Sequence, residues 1–154
     1  MLLHDKAFTY IINSSAGISG DASSCDIELE PIHFPYEKYQ VRCTAFTMNC
    51  SSLHADAPQY ILLAVSGLSD GPNYCMGLES DTLIIAHLNT HESLSQMTSG
   101  EGSVFTVSGM SQKRRIHFEL LEPDLINLGG GYLDINGATY WTISLVFSPI
   151  LDLN

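Results

Sequence analysis

Two stretches in the last third of the chain alternate strictly between apolar and polar residues, and no other feature constrains the fold as much. In residues 114–121, Ile116, Phe118 and Leu120 fall on one side while Arg115, His117 and Glu119 fall on the other. In residues 139–148, Trp141, Ile143, Leu145 and Phe147 oppose Thr142 and Ser144. A period of two is what an antiparallel strand needs when one face packs on a core and the other meets water. The seven apolar side chains are therefore expected to line one core together.

The same reading of alternation and turn signals yields about eight strands. They fall at residues 6–12, 26–32, 39–48, 59–66, 82–88, 103–108, 114–121 and 139–148, with a short addition at 132–135 next to the hairpin signal Asn136-Gly137. Between them lie clusters of Gly, Ser, Asn and Pro, notably at 14–24, 66–73, 98–102 and 129–131. No segment carries a capped stripe at helical spacing, although residues 56–58 and 92–97 have the composition of a single helical turn.

Two strands carry more detailed information. In residues 39–48 the apolar side chains sit at odd positions through Cys43 and then at even ones from Phe46, a phase slip that predicts a bulge or bend. Residues 60–65 and 83–86 are continuously apolar, as expected of strands covered on both faces. Long connections without a repeat of fixed period favour an all-β fold: a single jelly roll or a related two-sheet antiparallel β-sandwich of about eight strands. Residues 1–154 are expected to form one such domain.

Composition narrows the function classes. Six Lys and Arg against seventeen Asp and Glu give a formal charge of −11, which repels a phosphate backbone and argues against nucleic acid as a partner. Lys113, Arg114 and Arg115 form the one basic cluster, read as a solvated turn beside a strand. Apolar runs are too short to span a bilayer, and residues 1–12, interrupted by His4, Asp5 and Lys6, do not have the form of a signal peptide. A charged fraction of only 15% and a mean hydropathy of +0.11 point to surface that is buried against partners. Cys25, Cys43, Cys50 and Cys75 lack C-x-x-C spacing and read as small, reduced hydrophobes, and their pairing is left open. The sequons at Asn13 and Asn49 are discounted in a serine-rich chain.

No constellation of catalytic, metal or cofactor ligands emerges. Gly67-Leu68-Ser69-Asp70-Gly71 matches G-x-S-x-G, but Pro72, Asn73 and Gly77 follow where a nucleophile elbow needs a helix, so Ser69 is read as part of a glycine-rich turn. His87 and His91 with Glu92 have the four-residue spacing that suits a metal on a helix, yet fall at a strand end and in a loop. Gly129 to Gly131 lack the Lys-Ser or Lys-Thr of a phosphate loop. His33, His54 and the remaining histidines are scattered, and His117 on the polar side of its strand reads as a cross-strand polar contact. Glu119, Glu122 and Asp124 are close in sequence but point in different directions on a strand and turn. The expectation is a non-enzyme without catalytic, cofactor or metal site.

Residues 114–149, with the acidic turn Leu121-Glu122-Pro123-Asp124 and the apolar strand Tyr140-Trp141-Thr142-Ile143-Ser144-Leu145-Val146-Phe147-Ser148-Pro149-Ile150, resemble the closing strands of jelly-roll capsid proteins of large double-stranded DNA viruses, virophages and their relatives. Residues 25–30 followed by 39–48 are similar to the early strand pair of that group. The resemblance implies a structural virion protein, a penton or minor capsid protein, made in the host cytoplasm and resident in the virion. It also implies a ring-type homo-oligomer, trimer or pentamer, that contacts major capsid proteins. The basic arm that some capsid proteins carry is missing, which removes the expectation of direct genome contact. Two other readings are a lectin- or cytokine-like sandwich that binds carbohydrate or protein, and a small serine hydrolase using Ser69.

Overall fold

Alternation becomes a two-sheet sandwich in the structure, a computed structural model that describes residues 6–16, 19–21, 23–49, 60–68, 73–75, 78–80, 82–89, 96–97, 104–122, 124 and 140–151. Its strands are β1 (Phe8–Asn13), β2 (Ser19–Asp21), β3 (Ser24–Glu28), β4 (Lys38–Asn49), β5 (Tyr60–Ser66), β6 (Asn73–Cys75), β7 (Leu78–Ser80), β8 (Thr82–Asn89), β9 (Gln96–Met97), β10 (Val104–Ser108), β11 (Arg115–Leu121) and β12 (Tyr140–Pro149). Three single 3-10 turns, at Ser14–Ala16, Pro31–His33 and Met110–Gln112, complete the described elements.

The first sheet runs β1-β12-β4-β10, with β9 also pairing to β4, and the second runs β2-β3-β11-β5-β8. Every pairing is antiparallel. If the eight longer strands β1, β3, β4, β5, β8, β10, β11 and β12 are counted in sequence, the sheets read first-eighth-third-sixth and second-seventh-fourth-fifth. That order is the two-Greek-key arrangement of a jelly roll. The strands β6 and β7 form a separate hairpin.

The core lies between the sheets and is filled by the expected side chains. Trp141, Ile143, Leu145 and Phe147 from β12 and Ile116, Phe118 and Leu120 from β11 are all buried. Each such side chain contributes about 1.5–3 kcal/mol on leaving water. Two aromatic groups anchor the layers. Phe118 and Trp141 join the sheets with ring centroids 5.1 Å apart. Near the other end of β12, Phe147 meets Phe34 edge-on at 4.9 Å and stacks on Phe8 at 5.6 Å.

The phase slip in β4 is a bulge. Ser144 of β12 lies opposite Ala45 and Leu145 opposite Cys43, so Thr44 is the extra residue. With that residue looped out, Tyr39, Val41 and Cys43 before it and Phe46 and Met48 after it all face the core. The Thr44 hydroxyl donates to the Ser144 carbonyl at 3.3 Å and so covers one acceptor of the interrupted ladder. A second bulge places Ile85 of β8 as an extra residue opposite the Leu63/Ala64 step. Leu63, Ala64 and Val65 are consecutively buried, which fits the continuous apolar run.

Several boundaries differ from expectation for local reasons. The strand read as residues 26–32 begins at Ser24 and ends at Glu28, because Pro31 has no N–H for a ladder and opens a 3-10 turn instead. Gln96–Met97, read with residues 92–95 as a helical turn, is strand β9, with Met97 opposite Phe46. The short strands β2, β6 and β7 lie in stretches read as connections, since three residues carry too little alternation to register. The segment 132–135 and residues 56–58 lie outside the described residues.

Candidate functional site

The densest group of ionisable side chains among the described residues sits on the outer face of the second sheet, where β3 and β11 pair. Alternation turns Cys25 and Ile27 inward, leaving Ser24, Asp26 and Glu28 on the outside; the same phase in β11 leaves Arg115, His117 and Glu119 there. Register sets His117 opposite Asp26, Glu119 opposite Ser24 and Arg115 opposite Glu28. His117 Nδ1 lies 2.9 Å from Asp26 Oδ1. On the other side of the ring, Nε2 lies 3.3 Å from Ser24 Oγ and 3.4 Å from Glu119 Oε1.

Desolvation pulls the His117 pKa down, but the hydrogen bonds to Asp26 and Glu119 and their charges outweigh it. The imidazole is therefore held above its ordinary value of 6.5. A serine on Nε2 and an aspartate on Nδ1 repeat the connectivity of an acyl-transfer triad. The surroundings do not complete it. Glu119 shares Nε2 and favours the imidazolium, which cannot act as a base, and Ser24 lies in a strand flanked by β2 and β11, whose ladders occupy the nearby amides an oxyanion would need. Nor do the carboxylates converge on one point: Asp26 and Glu119 address opposite ring nitrogens, and no metal-holding group of three His, Cys, Asp or Glu is found among the described residues. The cluster is a cross-strand polar network, with a partner strand that His117's own neighbours in sequence did not disclose.

The other sequence candidates are dispersed. Ser69, His91, Glu92, His4, His54, Cys50 and Gly129 to Gly131 lie outside the described residues. His87 is placed by the backbone on β8 opposite Leu62. His33 is in the 3-10 turn after β3, with Nε2 3.5 Å from Glu30 Oε2. Cys25 and Cys43 are buried on different sheets, and the Cys43 thiol donates to the Ala45 carbonyl at 3.8 Å. The Asn13 side chain is engaged: its amide donates to Thr142 Oγ1 at 2.8 Å and its oxygen accepts from the Ser15 N–H at 2.8 Å, an Asx turn that closes β1.

The outer face of the first sheet contrasts with the β3–β11 face. None of its strands β1, β4, β9, β10 and β12 contains an Asp or Glu, whereas β4 contributes Lys38 and Arg42, both exposed and both outside the core-facing series Tyr39, Val41, Cys43. Around these two cations are hydroxyl and β-branched side chains, with Ile11 66% and Val104 54% exposed. Among the described residues no helix is long and apolar enough to cross a membrane. No protein-family model matches the chain, and comparison with curated proteins finds no significant match.

Proposed function

We propose that this chain is a structural virion protein, a penton or minor capsid building block that assembles around a symmetry axis and contacts major capsid proteins. The observation that carries the reading is the jelly-roll order of the two sheets, a fold that capsid domains share with lectins and cupins. Because one fold hosts many functions, surface chemistry must choose among them. Here the ionisable cluster is a satisfied polar network, and exposed apolar side chains such as Ile11, Ile32 and Val104 lie on an otherwise charge-poor surface. Both features suit packing against protein more than turnover of a small molecule.

A carbohydrate- or protein-binding sandwich is the second reading, favoured by the hydroxyl-rich first sheet, where Thr9, Thr47 and Thr106 are exposed. Electron microscopy of the purified chain separates the two. The virion reading predicts closed rings of three or five copies; a stable monomer retained on a glycan array contradicts it.

A further inference from the structure

We infer that the outer face of the first sheet docks the β3–β11 face of a second copy of this chain, in a head-to-tail contact centred on Lys38 and Arg42 of one copy and Glu28 and Glu119 of the next. The inference rests on the assembly reading above and names the surfaces that carry it.

The chain has seventeen acidic residues, yet none falls in any strand of the first sheet. Two of its six Lys and Arg stand on that sheet, on the same side of β4 with only Gln40 between them along the face. Neither has an ion-pair partner among the described residues. The nearest carboxylate in sequence, Glu37, belongs to the turn before β4, where its carbonyl accepts from the Gly109 N–H. Removing acids from one face of a chain with a formal charge of −11 eliminates local like-charge repulsion there. The complement is on the other sheet: Asp26, Glu28 and Glu119 face outward beside Arg115 and His117. Asp26 is held by His117 at 2.9 Å and Glu119 more loosely at 3.4 Å, which leaves the exposed Glu28 as the main anchor with Glu119 beside it. The patch and its complement differ, so the contact is heterologous; it propagates from copy to copy instead of closing as a two-fold dimer, and forms a ring where the rotation between copies closes.

Charge reversal on each face tests this. Lys38→Glu with Arg42→Glu takes the formal charge from −11 to −15, because each reversal changes it by two, and Glu28→Lys with Glu119→Lys takes it from −11 to −7 by the same arithmetic. Self-association measured by sedimentation should weaken about tenfold or more in both variants, since each places like charges in contact. The second variant is decisive, because overall repulsion alone would make the less acidic protein associate more strongly. An equimolar mixture should regain association as open alternating chains, since each reversed face then meets an oppositely charged one while an odd-numbered ring cannot alternate. Near-UV circular dichroism confirms that both variants are folded. If wild type assembles and the reversals leave it unchanged, or the mixture fails to regain association, these faces are not the interface, and the assembly reading survives. If wild type remains monomeric throughout, both are overturned.

Discussion

The Ser14 hydroxyl accepts a hydrogen bond from the backbone N–H of Trp141 at 2.9 Å, across 127 positions of sequence. The ladder between β1 and β12 ends at the pair Asn13 and Thr142, so the next amide of β12 takes a partner from outside it. Ser14, itself buried, supplies one from the 3-10 turn that follows β1. Ser14→Ala should cost about 0.5–1.5 kcal/mol in denaturant unfolding, the net contribution of one hydrogen bond.

Trp141 is fully buried against Phe46 and Phe118. Trp141→Ala should cost about 3–5 kcal/mol by emptying a large aromatic site in the core. A loss below about 1 kcal/mol would place the ring at the surface, where substitutions stay near that limit.

Deleting Thr44 should abolish cooperative unfolding. Without the extra residue, one flank of β4 shifts by one position, and either Tyr39, Val41 and Cys43 or Phe46 and Met48 turn to solvent. Thr44→Ala removes only the bond to Ser144 and should cost about 1 kcal/mol or less. A deletion variant that melts like the substitution would show that the bulge does not set the register.

His117 should stabilise the fold more in acid than in base. Its folded pKa is raised, so the contribution is fully present below the unfolded value near 6.5 and is lost as pH rises through the higher folded value. The stability difference between wild type and His117→Gln should be larger at about pH 5.5 than at about pH 8. An equal difference at both would mean that Asp26 and Glu119 do not hold the proton.

The core and both long alternating strands were legible because burial imposes a period of two, and the bulge was legible because Cys43 and Phe46 break that period. Phe34 escaped notice: it sits after Pro31 in a stretch read partly as strand, and only the fold brings it 4.9 Å from Phe147. The His117 network was half visible. Glu119 is a neighbour on its own strand, but Ser24 and Asp26 arrive through a pairing separated by some 90 positions, and nothing local encodes which strand becomes the neighbour. Likewise, the absence of acids from β1, β4, β10 and β12 is written in the chain, yet it becomes a surface only when the jelly-roll order puts those four strands side by side.

Assembly is the central claim, and light scattering of the purified chain across protein and salt concentrations tests it most directly. A formal charge of −11 on each copy opposes association through water, and salt at physiological ionic strength screens that repulsion beyond about 8 Å, while charge pairs enclosed in a contact are screened much less. The protein should therefore form a discrete oligomer whose population rises with salt. A species that stays monomeric at high micromolar protein and high salt would contradict the account.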